Sequence, residues 1–147
     1  MTFDINIAIF FNCYRLSERQ FYLFNPDDLS SGPLVEHGLD VSPSVLVPIF
    51  DNDTRTLFLT GKGDATIYTF EIADITSNPA PTNLITQLSH FEAPTPHQAV
   101  ALLSKNKCDV KKLEFARGYR LTSNSIEPIS FVAPRLNVSL FSFLLCI

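Results

Sequence analysis

At 147 residues, with 46% hydrophobic and 18% charged residues, the chain can bury a core, and its body does not have the composition of a disordered polymer. A formal net charge of −4 argues against a general nucleic-acid binder, which carries a basic excess, and leaves room only for a local basic patch. Cys13, Cys108 and Cys146 are odd in number and unpaired in spacing, so they predict free thiols in a reducing compartment.

In chain order, residues 5–11 are apolar but follow Asp4 with no Lys or Arg before them, which is not a signal-peptide pattern. Residues 21–25 predict a strand and 34–39 a weaker one. Residues 45–50 predict the next, with Pro48 suited to an edge or a bulge. Asp51-Asn52-Asp53-Thr54 is a turn, 56–60 a strand, 61–64 a turn and 66–71 a strand. A loop over 76–82 with Pro79 and Pro81 leads to a strand at 84–88. Four short strands joined by turns make one antiparallel sheet. The pattern resumes with an apolar run at 98–103, a turn at 105–107, a strand at 113–121, a turn at 122–125 and a strand at 126–133 containing Pro128. No fourth strand follows, and no segment shows sustained helical spacing. The tail, 140–147, is apolar yet far shorter than the ~20 residues of a membrane helix, so no membrane span is expected. The sequons at Asn52 and Asn137 read as chance matches without a secretory signal.

Within this pattern the segment Gly61-Lys62-Gly63-Asp64-Ala65-Thr66-Ile67-Tyr68-Thr69-Phe70-Glu71 is the most informative. It resembles a worn WD-repeat ending, in which Asp-Gly-Thr-Ile-x-x-Trp-Asp turns a hairpin and runs down a blade's third strand. Ala65 stands for the Gly, Phe70 for the Trp and Glu71 for the last Asp. A second copy lies 46 residues earlier, where Glu18 precedes Phe24 as Asp64 precedes Phe70. That step is close to the ~40–45 residues of a WD repeat. The reading is therefore all-β, a WD-type propeller in part.

Longer strings resemble the coronins, seven-bladed propeller proteins of the actin cytoskeleton. They are Ser17-Glu18-Arg19-Gln20, Pro48-Ile49-Phe50-Asp51-Asn52-Asp53-Thr54, Leu59-Thr60-Gly61-Lys62-Gly63-Asp64 and Tyr68-Thr69-Phe70-Glu71-Ile72. Cys108-Asp109-Val110, Glu114-Phe115-Ala116-Arg117 and the run from Ile126 to Arg135 follow in coronin order. Asp40-Val41-Ser42-Pro43-Ser44 and Asn106-Lys107-Cys108-Asp109-Val110 look most like the long coronins with two propellers in tandem. The resemblance implies about two blades of four-stranded antiparallel sheet in an unclosed ring. It divides the chain into the end of one blade (15–40), a complete blade (41–90) and an incomplete closing blade (91–135). The apolar ends, 1–14 and 136–147, match nothing in the family. The simplest expectation is a fragment with foreign ends that self-associates through its open faces and edges, the tail being one substitute for the missing strand. The resemblance also implies a non-enzymatic scaffold without cofactor. Its partners would be actin filaments or other proteins, its location the cytoplasm and cytoskeleton. The alternative is an adaptor in Golgi or vesicle traffic, or an inactive piece.

Other chemistries fit the residues poorly. Gly61-Lys62-Gly63-Asp64 lacks the spacing and following helix of a phosphate loop. His37, His90 and His97 pair with no Cys at a ligand spacing, so no metal site is expected. No Gly-x-Ser-x-Gly elbow frames Ser44 or Ser130, and Glu114 and Glu127 read as a solvated acid and a turn-side acceptor. The turn predicts Gly61 or Gly63 at positive φ and Asp64 accepting local N–H bonds. Lys105, Lys107, Lys111, Lys112, Arg117, Arg120 and Arg135 are dense for an acidic chain. Of these Lys111, Lys112, Arg117, Arg120 and Arg135, with Lys62 at the hairpin tip, are the candidates for meeting an acidic partner. Phe50, Phe58 and Phe70 read as core between blades.

Overall fold

The computed structural model describes residues 2–3 and 7–13, by backbone, and 18–74 and 82–133 in full. Arg135, the Pro79 and Pro81 loop and the tail 136–147 lie outside the described residues. The described chain is built of antiparallel strands, and its only helical turns are short 3-10 segments at Leu29–Ser31, Lys105–Lys107 and Val110–Lys112.

Three sheets follow one another along the chain. The first runs β1 (Thr2–Phe3), β2 (Ile7–Cys13), β3 (Glu18–Phe24) and β4 (Val35–Val41) in that order. The second runs β5 (Leu46–Asp51), β6 (Thr56–Gly61), β7 (Thr66–Ile72) and β8 (Ile85–Gln87), with β9 (Phe91–Glu92) also on β7. The third is β10 (Ala99–Leu102), β11 (Glu114–Leu121) and β12 (Ile126–Val132). In each, β9 apart, strands that follow one another in the chain lie side by side and antiparallel. Among the described residues the three sheets do not close a ring. β8 and β9 are two halves of one outer strand. Phe70 faces Gln87 while Ile67 faces Phe91, so one extra residue is accommodated between them, a bulge spanned by the Leu88 N–H to the Thr69 carbonyl at 2.8 Å. Pro48 and Pro128 sit on β5 and β12, where among the described residues one side of each strand is unpaired and the missing N–H costs no ladder bond.

The second sheet is covered on both faces, and its sequence shows it. Every residue of β6 is buried, although a half-exposed strand would alternate. Leu57 and Leu59 of β6, with Phe70 and Ile72 of β7, pack on Phe21 and Leu23 of the first sheet. Phe58 and Ile67 point the other way, onto Ala116, Ile129 and Phe131 of the third. The rings interlock at both joints. Phe21 and Phe70 lie 5.1 Å apart edge-on, and Phe58 and Phe131 4.7 Å. A bulge at Phe115 turns it and Ala116 together toward the core, so Phe58 stacks on Phe115 at 6.3 Å. Phe58 and Phe70 are thus core between blades, as their sequence positions predict. Phe50 packs at the margin of the first joint.

Residues 18–41 supply the last two strands of the first sheet, β3 and β4, and residues 2–3 and 7–13 supply β1 and β2 beside them. Part of the apolar N-terminal segment, which matches nothing in the family, forms β2, whose backbone pairs with β3 from Ala8↔Phe24 to Cys13↔Arg19. Among the described residues the third sheet has three strands.

Candidate interaction surface

The β6–β7 hairpin is shaped by two glycines with different duties. Gly63 has φ +90°, which L side chains rarely adopt, and the turn closes with the Asp64 N–H on the Gly61 carbonyl at 3.1 Å. Gly61 has no such angle. A Cβ there would lie 2.6 Å from Ser44 Oγ and 2.9 Å from both Asp64 Oδ2 and the Val45 carbonyl. Asp64 does not cap the turn by accepting local N–H bonds, which corrects that expectation. Its carboxylate turns inward, because a buried cation lies there. Arg19 Nη1 donates to Asp64 Oδ2 at 2.6 Å and to Ser44 Oγ at 2.8 Å, and Ser44 Oγ donates to Asp64 Oδ1 at 2.6 Å. Arg19 also grips Asp40, Nε to Oδ1 at 2.6 Å and Nη2 to Oδ2, while the Tyr68 hydroxyl donates to Asp40 at 3.0 Å. The Arg19 side chain is only 2% exposed. Burial works against its charge, but the bonds and charges of Asp40 and Asp64 outweigh it and raise its pKa. The same bond from Arg19 holds the Asp40 carboxyl below its usual range. One guanidinium therefore ties the first sheet to the second.

The segment 93–98, between β9 and β10, ties the second sheet to the third. Ala93 N–H binds the Ala65 carbonyl at 2.9 Å, His97 N–H the Asp64 carbonyl at 2.9 Å, and Gly63 N–H the His97 carbonyl at 2.7 Å. The His97 ring is fully buried, with Nε2 2.5 Å from Thr60 Oγ1. Thr60 gives its own hydroxyl proton to the Thr66 carbonyl at 2.9 Å, so His97 must be the donor and carries its proton on Nε2. Nδ1 is buried and has no hydrogen-bond partner among the described residues. Burial lowers the His97 pKa, with Asp64 opposing and Arg120 reinforcing. From the third sheet, Arg120 Nη1 donates to the Thr95 carbonyl at 2.7 Å and Nη2 to Thr95 Oγ1 at 3.1 Å. Its Nε and Nη2 bind Glu127 Oε2 at 2.9 and 2.5 Å.

The cations singled out in the sequence are therefore not one surface. Arg120 is 3% exposed and spent inside the joint, so it is not a surface cation. Lys105 pairs with Asp51 of the second sheet and donates to the Phe115 carbonyl. Arg117 is partly exposed and bound to Glu114 at 2.8 Å. Glu114 is not a solvated acid. It is buried, accepts from Arg117, Ser130 and the Asp109 N–H, and is lowered to about 2, chiefly by the Arg117 bond. Glu127 is the turn-side acceptor expected, lowered by Ser125 and then Arg120.

Lys107, Lys111 and Lys112 remain exposed, all on the long β10–β11 connection. Lys112 makes only a loose 3.7 Å pair with Asp109. The Asp109 side chain accepts the Lys111 N–H at 3.1 Å and Leu113 takes a left-handed conformation, which hold the two lysines out on a fixed 3-10 turn. Lys62 is exposed too, but at a β6–β7 turn. In antiparallel meanders that turn lies at the opposite end of the strands from the β5–β6 turn, which Asp51 joins to the Lys105 loop. Lys62 and the Lys111–Lys112 pair thus occupy opposite rims. Among the described residues no group of three metal-ligating side chains exists, and no helix is long and apolar enough to cross a membrane.

No protein-family model matches the chain. It is 42% identical over 125 residues to Coronin-7 of Rattus norvegicus and 39% identical to Coronin-7 of Homo sapiens, each match covering 85% of the chain. It is 36% identical over 127 residues to Coronin-2A of Mus musculus. The chain spans 13% of the length of the Coronin-7 relatives and 23% of Coronin-2A. Its structure is similar to the WD40 domain of Toxoplasma gondii coronin, with a TM-score of 0.77, 90% of the chain covered and 21% identity. That likeness shows the propeller fold. Taken with the identities along the sequence, it places the chain in the coronin family, as a stretch of its WD-repeat propeller.

Proposed function

We propose that this chain is a non-enzymatic part of a coronin-type propeller that organises the actin cytoskeleton, and that Lys111 and Lys112, with Lys107 beside them, meet an acidic face of the filament. One observation carries the reading. Ion pairs inside the joints use up Arg19, Lys105 and Arg120, whereas these three lysines stand in solvent on one rim. Charge of this kind steers encounter and is screened by salt, with a Debye length of ~8 Å at physiological ionic strength. Lys62, on the other rim, belongs to a different contact, and Arg117 supports the loop through Glu114. The protein then works in the cytoplasm, on the cytoskeleton.

The test is filament co-sedimentation of a full-length coronin carrying Lys111→Glu and Lys112→Glu at the matching positions. Binding should weaken several-fold, most at low salt. Unchanged binding at low salt would reduce the two lysines to ordinary surface. The resemblance to the long coronins with two propellers in tandem supports a second reading, a trafficking adaptor on Golgi or vesicle membranes. It would show as absence from the filament pellet together with recovery on those membranes.

A further inference from the structure

The segment 93–98 sets a surface hydroxyl beside a buried cation. Thr95 is exposed and is followed by Pro96, yet its Oγ1 is 3.1 Å from Nη2 of Arg120, a guanidinium whose side chain is 3% exposed. A buried cation aimed at a surface hydroxyl offers a ready receptor for an anion built on that hydroxyl. The Thr-Pro step supplies the sequence context that proline-directed protein kinases read. We propose that Thr95 is a phosphorylation site for such a kinase, and that Arg120 receives the phosphate at the joint between the second and third sheets.

The chemistry is an ordinary phosphoryl transfer. Thr95 Oγ1 attacks the γ-phosphorus of a nucleoside triphosphate, and the bond from that phosphorus to the β–γ bridging oxygen breaks. The hydroxyl proton passes to the kinase's base, and the nucleoside diphosphate leaves. The product carries about −1.5 to −2 charges and three acceptor oxygens. Arg120 now divides its donors between the Thr95 carbonyl and Glu127 Oε2. Glu127 is the weaker competitor, with its side chain 41% exposed and Ser125 Oγ as a second partner at 2.9 Å. A dianion within reach draws the fork off Glu127, because charge-assisted bonds to phosphate are strong and bidentate. Glu127 goes to solvent, and the Thr122–Ser125 turn between β11 and β12 loses one of its ties. Modification at Thr95 thus tightens the loop onto β11 while loosening that hairpin tip.

The other Ser/Thr-Pro step is an internal control. Ser42 precedes Pro43 but is half-buried, with Oγ 3.5 Å from Asp64 Oδ1, so a phosphate there meets a carboxylate.

The experiment treats the native chain and a urea-unfolded sample with a proline-directed kinase and ATP, maps the phosphate by peptide mass, and follows the phosphothreonine by phosphorus NMR against pH. Native chain should take one phosphate at Thr95 and none at Ser42, and Thr95→Ala should abolish it. The second ionisation of the phosphate should fall below its ordinary value of about 6. It should return toward that value in Arg120→Gln and fall further in Glu127→Gln, a change at a half-exposed site that keeps the test available if Arg120→Gln does not fold. Labelling of Thr95 only in the unfolded chain would overturn the proposal. So would a phosphate that titrates at about 6 in both the native chain and Glu127→Gln.

Discussion

Replacing Arg19 by Met keeps most of the side chain's volume and removes its charge, which isolates the electrostatic role of the inter-sheet pair. Asp64 then keeps Ser44 as a partner and Asp40 keeps Tyr68, but both carboxylates lose the cation between them. Breaking a buried pair by removing one partner costs about 3–5 kcal/mol. Asp40 is 27% exposed and can rehydrate, so the lower half of that range applies, about 3 kcal/mol. Arg19→Lys should recover little, because an ammonium cannot serve two carboxylates and a hydroxyl through a planar fork. Removing both charges, in Arg19→Met with Asp64→Leu, should be less harmful than the sum of the single changes, with a coupling of about 1–3 kcal/mol. Urea unfolding at low protein concentration, followed by circular dichroism, measures each variant. A loss under about 0.5 kcal/mol for Arg19→Met, or strictly additive single and double changes, would refute the claim that this cation joins the sheets.

Two further outcomes concern the turn and pH. Gly63→Val forces a β-branched residue to φ +90° and should cost about 1 kcal/mol or more in the same assay; Gly61→Ala should cost at least as much, for its Cβ meets backbone and Asp64 rather than open space. Equal stability of either variant and the parent would contradict the turn geometry. Burial holds the His97 pKa below the unfolded value of about 6.5, so its contribution is whole above that pH and is lost as pH falls, the unfolded chain taking the proton first. The proton that charges His97 goes to Nδ1, which is buried with no acceptor beside it among the described residues, so His97→Gln should flatten the fall in stability between pH 7 and 5, leaving the part due to His37, which burial also holds low. Glu114, lowered to about 2 from 4.5, adds a separate loss below pH 4.5, which Glu114→Gln should remove. An unchanged slope in His97→Gln would place the titration elsewhere.

Apart from the short β9, strands of the second and third sheets were legible because turn residues bracket short β-rich runs, and their observed ends differ from the sequence reading by about a residue. The pairing of residues 7–13 with β3 was not legible, since an apolar run at a chain start gives no sign of which strand it joins. Charge density alone could not sort the cations. Lys105 and Arg120 look like Lys111 and Lys112 in sequence, yet their partners, Asp51 and Thr95, lie 54 and 25 residues away. The same limit hid the role of Asp64. Local spacing made it a turn cap, whereas a guanidinium 45 residues upstream decides where its carboxylate points. Sequence reading resolves contacts within a hairpin, and these pairs depend on how one sheet stacks on the next.

The doubly covered middle sheet has a consequence for synthesis on the ribosome. The first sheet emerges before it and can cover the Leu57 and Leu59 face at once. The opposite face, with Phe58 and Ile67, waits for Ala116, Ile129 and Phe131. At ~5–20 residues per second that wait lasts seconds, far longer than hairpins take to form. During it the nascent chain shows the apolar face of Phe58 and Ile67, a natural landing place for a holding chaperone. Slow codons between β9 and β12 would lengthen the exposure and fast ones shorten it, so the yield of this fold depends on translation speed in one definable window.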